Sequence, residues 1–146
     1  MTRTIVSRTV DTSLDVVFKA VSDIGNLPNT VPDILKVEFL SDLRSGVGTR
    51  FRETRLMKGK ESTTELEVTE FIDNEHVRMV ADSHGTVWDS VSAVKATGGQ
   101  TELVLTMDAK AHKLLPRLMN PLVKGLIKKG LEKHMDAVKA YCEGSR

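Results

Sequence analysis

Apolar and polar residues alternate along most of the chain. Between Ile34 and Ala111 apolar residues recur at every second position, which is the period of a half-buried β-strand. Strands are predicted over residues 34–42, 47–57, 60–72, 75–83, 86–96 and 101–111. The breaks between them contain Gly, Asn, Asp or Ser, as hairpin turns do. The pattern therefore predicts a series of consecutive antiparallel strands.

The N-terminal region combines a further strand with short helices. Residues 3–10 alternate and are rich in β-branched side chains, which predicts a strand. Ser13 then precedes residues 14–21, whose pattern predicts a short amphipathic helix with a good N-cap. Residues 23–33 contain turn formers and two prolines, so at most one short helix fits there.

The last segment, residues 113–142, is predicted to be one long helix. Pro116 and Pro121 fall in its first turns, so its start is either broken or delayed to near Asn120. Its apolar residues form two groups on different sides. The first group is Leu115, Leu118, Met119, Leu122 and Leu126, and the second is Ile127, Leu131, His134 and Val138. The helix must therefore bend, follow a curved sheet, or direct its two halves at different surroundings.

These elements predict one α+β domain that spans residues 1–146, because no repeat or linker divides the chain. We expect a curved antiparallel sheet of seven strands wrapped around the C-terminal helix, with a short helical excursion after the first strand. Where the sheet and the helix do not touch, a cavity lined by alternate strand residues would remain.

Composition favours a water-soluble globular protein. The chain has 146 residues, of which 40% are hydrophobic and 28% charged. The single Cys142 excludes an internal disulfide framework and a multi-cysteine metal site, and it fits a reducing compartment. No apolar run is long enough for a membrane span, and the first residues lack the apolar centre of a signal peptide. We expect a cytoplasmic location.

The charge is distributed unevenly. Residues 1–109 carry 12 Lys and Arg against 17 Asp and Glu, whereas residues 110–146 carry 9 against 3. A basic tail of this kind is compatible with nucleic acid, an anionic membrane or an acidic partner, but a solvated helix face is the favoured interpretation. No nucleic-acid-binding motif accompanies it.

Several short segments, in this order, resemble one known superfamily. They are Val10-Asp11-Thr12-Ser13, Asp15-Val16-Val17-Phe18, Ser22-Asp23, Val31-Pro32, Gly46 to Arg52, Glu67 to Phe71 and Gly98 to Glu102. The chain resembles the START-like (SRPBCC) superfamily with the helix-grip fold, in the branch of polyketide cyclases, dehydratases and lipid transport. The resemblance covers nearly the whole chain.

The resemblance implies a fold rather than one reaction, because the superfamily includes cyclases, hormone receptors, lipid carriers and chaperone regulators. This chain also departs from the usual pattern at three positions. Ser13 stands where the family usually has proline, and the segment around Leu27 and Thr30 lacks the usual tryptophans. An aromatic clamp on a planar ligand is therefore not expected.

The alternation also suggests which polar residues lie inside. In residues 47–57 the odd-numbered positions are the more apolar set, which predicts that Glu53 and Arg55 face the helix. The same argument directs Leu66 and Val68 inward, with Glu70 as a further candidate, and groups Asp89 with Val87, Val91 and Ala93. The alternation then places Trp88 on the other face, whereas a single tryptophan is most often a core residue, so the side of Trp88 stays open. Glu53, Arg55 and Asp89 are weak candidates for acid–base catalysis. A structural ion pair, or a bulge that changes the alternation, is the alternative interpretation.

The favoured hypothesis is that the chain binds a small hydrophobic or amphipathic molecule in the internal cavity. The residues predicted to line it are Leu27, Val31, Phe51, Glu53, Arg55, Leu66, Val68, Met107, Leu118, Leu122 and Leu126. The three last-named leucines are expected to face Phe51, Val68 and Met107.

Two alternatives remain open, a polyketide cyclase- or dehydratase-like enzyme that uses the same cavity and a membrane-facing lipid or quinone carrier. No catalytic signature settles whether the chain is an enzyme, and no metal or cofactor is expected. The expected partner is a small hydrophobic molecule and not nucleic acid. Membrane contact is not favoured, and the chain is expected to be a monomer or a homodimer.

Overall fold

The strands form a single antiparallel sheet in which neighbours along the chain are neighbours in space. The computed structural model describes residues 2–112 and 121–144. In chain order the elements are β1 (Thr2–Val10), α1 (Leu14–Ser22), a 3₁₀ turn (Ile24–Asn26), α2 (Leu27–Thr30), β2 (Ile34–Phe39), β3 (Arg50–Met57), β4 (Lys60–Ile72), β5 (His76–Ser83), β6 (Thr86–Thr97), β7 (Gln100–Ala111) and α3 (Pro121–Cys142). The strand order is β1-β7-β6-β5-β4-β3-β2. This confirms the predicted α+β fold with seven strands and a C-terminal helix.

The hairpin turns explain why the strands follow one another so closely. Lys58 and Gly59 both have positive φ, as do His84 and Gly85, and Gly98 and Gly99. Two consecutive residues in this left-handed region form the turn whose twist matches that of the strands on either side. Glycine adopts such a conformation at little cost, so these short turns set the register of the meander.

The hydrophobic core lies between the inner face of the sheet and the helices. Its most deeply buried members come from every layer of the fold, namely Val10, Val17, Phe18, Ile24, Ile34, Phe51, Val68, Val77, Leu103, Met135 and Val138. Helix α3 packs most closely along β1 and also contacts α1 and α2. The core therefore fills the end of the sheet that lies beneath the short helices and the C-terminal half of α3.

The inner and outer faces differ from the predicted alternation in two strands. The pairing of β4 with β5 shifts register between Val68 and Glu70. A bulge of this kind reverses the side to which later residues point, so Glu70 lies on the outer face, where it contacts Arg78 at 2.9 Å. The prediction that Glu70 points inward is wrong for this reason.

Asp89 also lies on the outer face. It is the cross-strand partner of Asp108, and its carboxylate accepts a hydrogen bond from Arg78 at 2.6 Å. Trp88 is paired with the buried Ala81 and Ala109, so it faces inward. The predicted side of Asp89 is therefore wrong, and the side of Trp88, which the sequence left open, is the inner one. On β6 the valines lie on the outer side and the serines on the inner side, so the apolar pattern of the sequence predicted the reverse orientation.

A row of alternating charges crosses the outer face. Arg3 is 2.8 Å from Asp108, and Arg78 binds both Asp89 and Glu70, which in turn contacts His76 at 3.0 Å. Hydrogen bonding to Arg3 lowers the pKa of Asp108, so this carboxylate stays ionised. Because Asp89 and Asp108 face each other directly, the two arginines are needed to offset their repulsion.

We expect Arg78→Ala to lower the free energy of unfolding by about 1 kcal/mol, because it removes the cation that Asp89 and Glu70 share and leaves Asp89 opposite Asp108 without its own arginine. The measurement is urea denaturation at neutral pH. In the double variant Arg78→Ala/Asp89→Asn the repulsion is gone, and part of the loss should be recovered. A double variant no more stable than Arg78→Ala would contradict this account.

Candidate functional site

The inner face of β3 carries a charged pair. Glu53 and Arg55 are two residues apart, so they point to the same side as the fully buried Phe51. Arg55 Nη2 lies 3.4 Å from Glu53 Oε1, and the two side chains are 15% and 26% exposed for Glu53 and Arg55 respectively. Both charges are thus shielded from solvent but not sealed from it, which limits the cost of desolvating them.

His134 of α3 completes a polar cluster with this pair. Its Nδ1 lies 3.4 Å from Arg55 Nη2. A guanidinium only donates hydrogen bonds, so Nδ1 is the acceptor and the proton of the neutral ring is on Nε2. Burial, with the positive charge of Arg55 as a second cause, lowers the pKa of His134 to about 3. The imidazole is therefore neutral and presents an N–H donor at physiological pH.

The sequence did not identify His134 as part of the site. It belongs to the second apolar group of the C-terminal helix, together with Leu131 and Val138. A histidine within an apolar stripe is usually a core residue that satisfies its own hydrogen bonds. The sequence offered one signal for His134. It belongs to the apolar stripe that faces the sheet, and Arg55 was predicted to point inward from that sheet.

The surface around the cluster is part apolar and part polar. In the sheet register Glu53 lies opposite Thr64, and Arg55 lies opposite Ser62. Further across the inner face, the row of partly buried side chains consists of Leu66, Met79, Trp88, Ser90 and Met107. They contrast with the fully buried residues of the core, and they form an inner surface suited to a molecule with both apolar and polar parts.

Most of the predicted lining residues lie in the sheet or beneath α2. Leu27 and Val31 are buried at α2 and directly after it, and Phe51 and Val68 belong to the core. Leu66 and Met107 are partly buried on the inner face. Their role in ligand binding stays a prediction.

The two described members of the first apolar group of the C-terminal helix do not face the sheet. Leu122 is 77% exposed and Leu126 is 52% exposed, so the prediction that they face Phe51, Val68 and Met107 is wrong. The inward side of α3 is formed by the second group and by Met135, and at 100° per residue Leu122 and Leu126 point away from it. Leu118 lies outside the described residues.

Two absences within the described residues bear on the site. No group of His, Cys, Asp and Glu within residues 2–112 and 121–144 has the geometry to hold a metal ion. Among the helices of the same residues, none is long and apolar enough to cross a membrane.

Solved structures share the fold across nearly their whole length. A START superfamily protein from Mycobacterium smegmatis has a TM-score of 0.82 at 19% identity, with 99% of each chain covered. The Zhui aromatase/cyclase from Streptomyces sp. R1128 has a TM-score of 0.81 at 16% identity, with 97% of this chain and 93% of that chain covered. The protein TTHA0849 from Thermus thermophilus has a TM-score of 0.80 at 18% identity, with 99% of each chain covered. At these identities the likeness shows the fold alone.

Sequence comparison identifies the family. No curated protein matches the chain. The family described as polyketide cyclase / dehydrase and lipid transport matches residues 1–143. The helix-grip fold and this match over almost the whole sequence agree, and the chain belongs to the polyketide cyclase/dehydrase and lipid transport family.

Proposed function

We propose that the chain binds a small amphipathic molecule between the inner face of the sheet and α3. The observation that carries this proposal is the cluster of Glu53, Arg55 and His134, which lies beside partly accessible apolar side chains. A charged pair that is largely shielded from solvent rarely adds stability compared with apolar residues of similar size. Its presence on the inner face therefore favours a role in recognising the polar end of a ligand.

The cluster favours a ligand that accepts hydrogen bonds. Within the described part of the chain, Arg55 uses only Nη2 for its contacts with Glu53 and His134. Its Nε and Nη1 remain donors, and the neutral ring of His134 adds the Nε2–H. A carbonyl, phenolate, carboxylate or sulfonate would pair with these donors. The apolar body of the molecule would then lie against Leu66, Met79 and Trp88.

A cyclase- or dehydratase-like reaction in the same interior is the second candidate. It is favoured by the Glu53 carboxylate, which lies on the inner face, and by the fold shared with an aromatase/cyclase. His134 is a poor general base, because its pKa of about 3 lies far below neutrality. In Glu53→Gln a carrier keeps its ligand with altered affinity, whereas an enzyme keeps its substrate and loses turnover.

The single Trp88 offers a direct measure of binding, because it faces inward. We expect 1-anilinonaphthalene-8-sulfonate, which has an apolar body and an anionic acceptor, to quench Trp88 fluorescence. Arg55→Gln should lower the affinity for this probe by about tenfold to a hundredfold, which is the range expected for the loss of a hydrogen bond to a charged group. N-phenyl-1-naphthylamine, which lacks the sulfonate, should lose little affinity.

Two control variants accompany this test. Arg52→Gln changes an arginine on the outer face of the same strand and should leave both probes unaffected. The double variant Glu53→Gln/Arg55→Gln removes both charges, so no unpaired carboxylate remains on the inner face. It should still bind the sulfonate probe weakly. Equal weakening of both probes by Arg55→Gln, or failure of both to bind the parent protein, would refute the proposed polar end.

The neutral state of His134 predicts a dependence of stability on pH. In the folded chain the pKa is about 3, whereas in the unfolded chain it returns to about 6.5. Between these values the unfolded state binds the extra proton, so the free energy of unfolding should fall on acidification by up to about 1.4 kcal/mol per pH unit. Urea denaturation across this range should show a smaller slope for His134→Gln than for the parent. Equal slopes would mean that His134 is not held neutral.

A further inference from the structure

The two edge strands of the sheet differ in their surroundings. β1 lies beside α3, and the Thr9 carbonyl accepts a hydrogen bond from Lys139. β2 stands at the opposite end of the strand order, and among the described residues it pairs with β3 alone. The side of β2 that faces away from β3, which we call the open edge, therefore has main-chain groups that can bind another strand.

The pairing with β3 identifies these main-chain groups. The Leu40 amide donates to the Arg50 carbonyl at 2.8 Å, so Leu40 directs its main chain at β3. Main-chain groups alternate in direction along a strand, and the register with β3 is unbroken over residues 36–39. Val37 and Phe39 therefore direct their N–H and C=O groups away from β3, at the open edge.

Neighbouring side chains hold β2 in place. The guanidinium carbon of Arg44 lies 4.9 Å from the centre of the Phe39 ring. The same ring lies so close to Gly25 that a Cβ added there would contact it at 3.7 Å. Because the strand is already ordered, pairing with a second strand costs little conformational entropy.

The charges of β2 are complementary to those of β2 itself. Lys36 and Glu38 are exposed on its outer face, with their charged atoms 3.6 Å apart. If two copies pair antiparallel about a two-fold axis through Val37, Lys36 of each copy lies opposite Glu38 of the other. These pairs occupy positions without mutual hydrogen bonds, where facing residues approach most closely. An axis through Lys36 or Glu38 would instead bring like charges together. The register through Val37 thus satisfies both the main-chain groups and the charges.

We propose that β2 binds β2 of a second copy of this chain, in an antiparallel register centred on Val37. Val37 of each copy donates its N–H to the Val37 carbonyl of the other, and the two sheets of seven strands become continuous. Leu35, which is 45% exposed, comes close to Phe39 of the other copy, and its burial adds to the contact. Charged residues on an edge strand keep a protein monomeric when they repel a second edge, whereas Lys36 and Glu38 attract it.

This inference goes beyond the proposed interior binding, because Lys36 and Glu38 lie on the outer face of the sheet and the interior cluster lies on the inner face. The two proposals can therefore fail separately. The charge variants of β2 described next should bind 1-anilinonaphthalene-8-sulfonate like the parent protein.

Sedimentation velocity tests the pairing. A single strand pair buries less surface than a standard interface of about 1,600 Å², so we expect a reversible dimer that forms between roughly 10 and 500 µM protein. Lys36→Glu gives the strand two acidic residues, and Glu38→Lys gives it two basic ones. Each variant repels itself in both charge pairs, so its dimer should be weaker by about tenfold or more.

An equimolar mixture of these two variants tests the register. Both charge pairs become attractive between unlike variants, so the mixture should recover a dimer fraction close to that of the parent. A defect within one chain would not be corrected by mixing. The matched control Glu61→Lys makes the same charge change at an exposed position of β4. It should dimerise like the parent, and mixed with Lys36→Glu it should recover less dimer than Glu38→Lys does.

Amide hydrogen exchange locates the contact. The Val37 amide should exchange more slowly as the protein concentration rises, whereas exchange of the Leu40 amide, which already binds Arg50, should not change. The proposal would be overturned by a parent chain that stays monomeric throughout the concentration range, or by single variants that dimerise like the parent. A mixture that stays monomeric, or a dimer in which exchange at Val37 does not slow, would overturn it as well.

Discussion

Arg8 of β1 donates to Asp136 of α3 at 2.7 Å, and this contact links the helix to the edge strand of the sheet beside the buried Met135 and Val138. It is reinforced by Lys139, which donates to the Thr9 carbonyl, and by Glu143, which accepts from the Asp11 amide at 2.8 Å. The other edge of β1 is paired with β7 along its whole length. The first strand therefore joins the sheet to the last helix, and the position of His134 above Arg55 depends on that junction.

The strand pattern could be predicted because each hairpin contains its own turn chemistry. Residues such as Lys58 and Gly59 adopt positive φ locally, so register and topology follow from short-range preferences. The orientation of β3 could also be predicted from the sequence. Phe51 must be buried, and the two-residue alternation then places Glu53 and Arg55 on the same face.

The side-chain orientations in β4, β6 and α3 depend on tertiary contacts, which a single sequence does not reveal. On β6 the polar Ser90 and the large Trp88 share the inner face, so apolar character alone selected the wrong side for Asp89. In α3 two apolar groups competed for the sheet. Which of them packs is decided by β1 and the short helices, since Met135 and Val138 enter the core there. The bulge after Val68 had no sequence signal of its own.

Helix α3 is attached to the rest of the fold mainly through its C-terminal half, and this bears on how fast a small molecule enters or leaves the inner face. Its ion pairs and buried side chains are concentrated between Leu131 and Glu143, whereas the preceding turns contain Gly125 and Gly130, each of which weakens a helix by roughly 1 kcal/mol relative to Ala. Local opening therefore costs least in these turns and does not require the sheet to unfold. For the binding proposed at the inner face, entry and departure of the molecule would then proceed at the rate of this local opening and largely independently of the global stability of the protein.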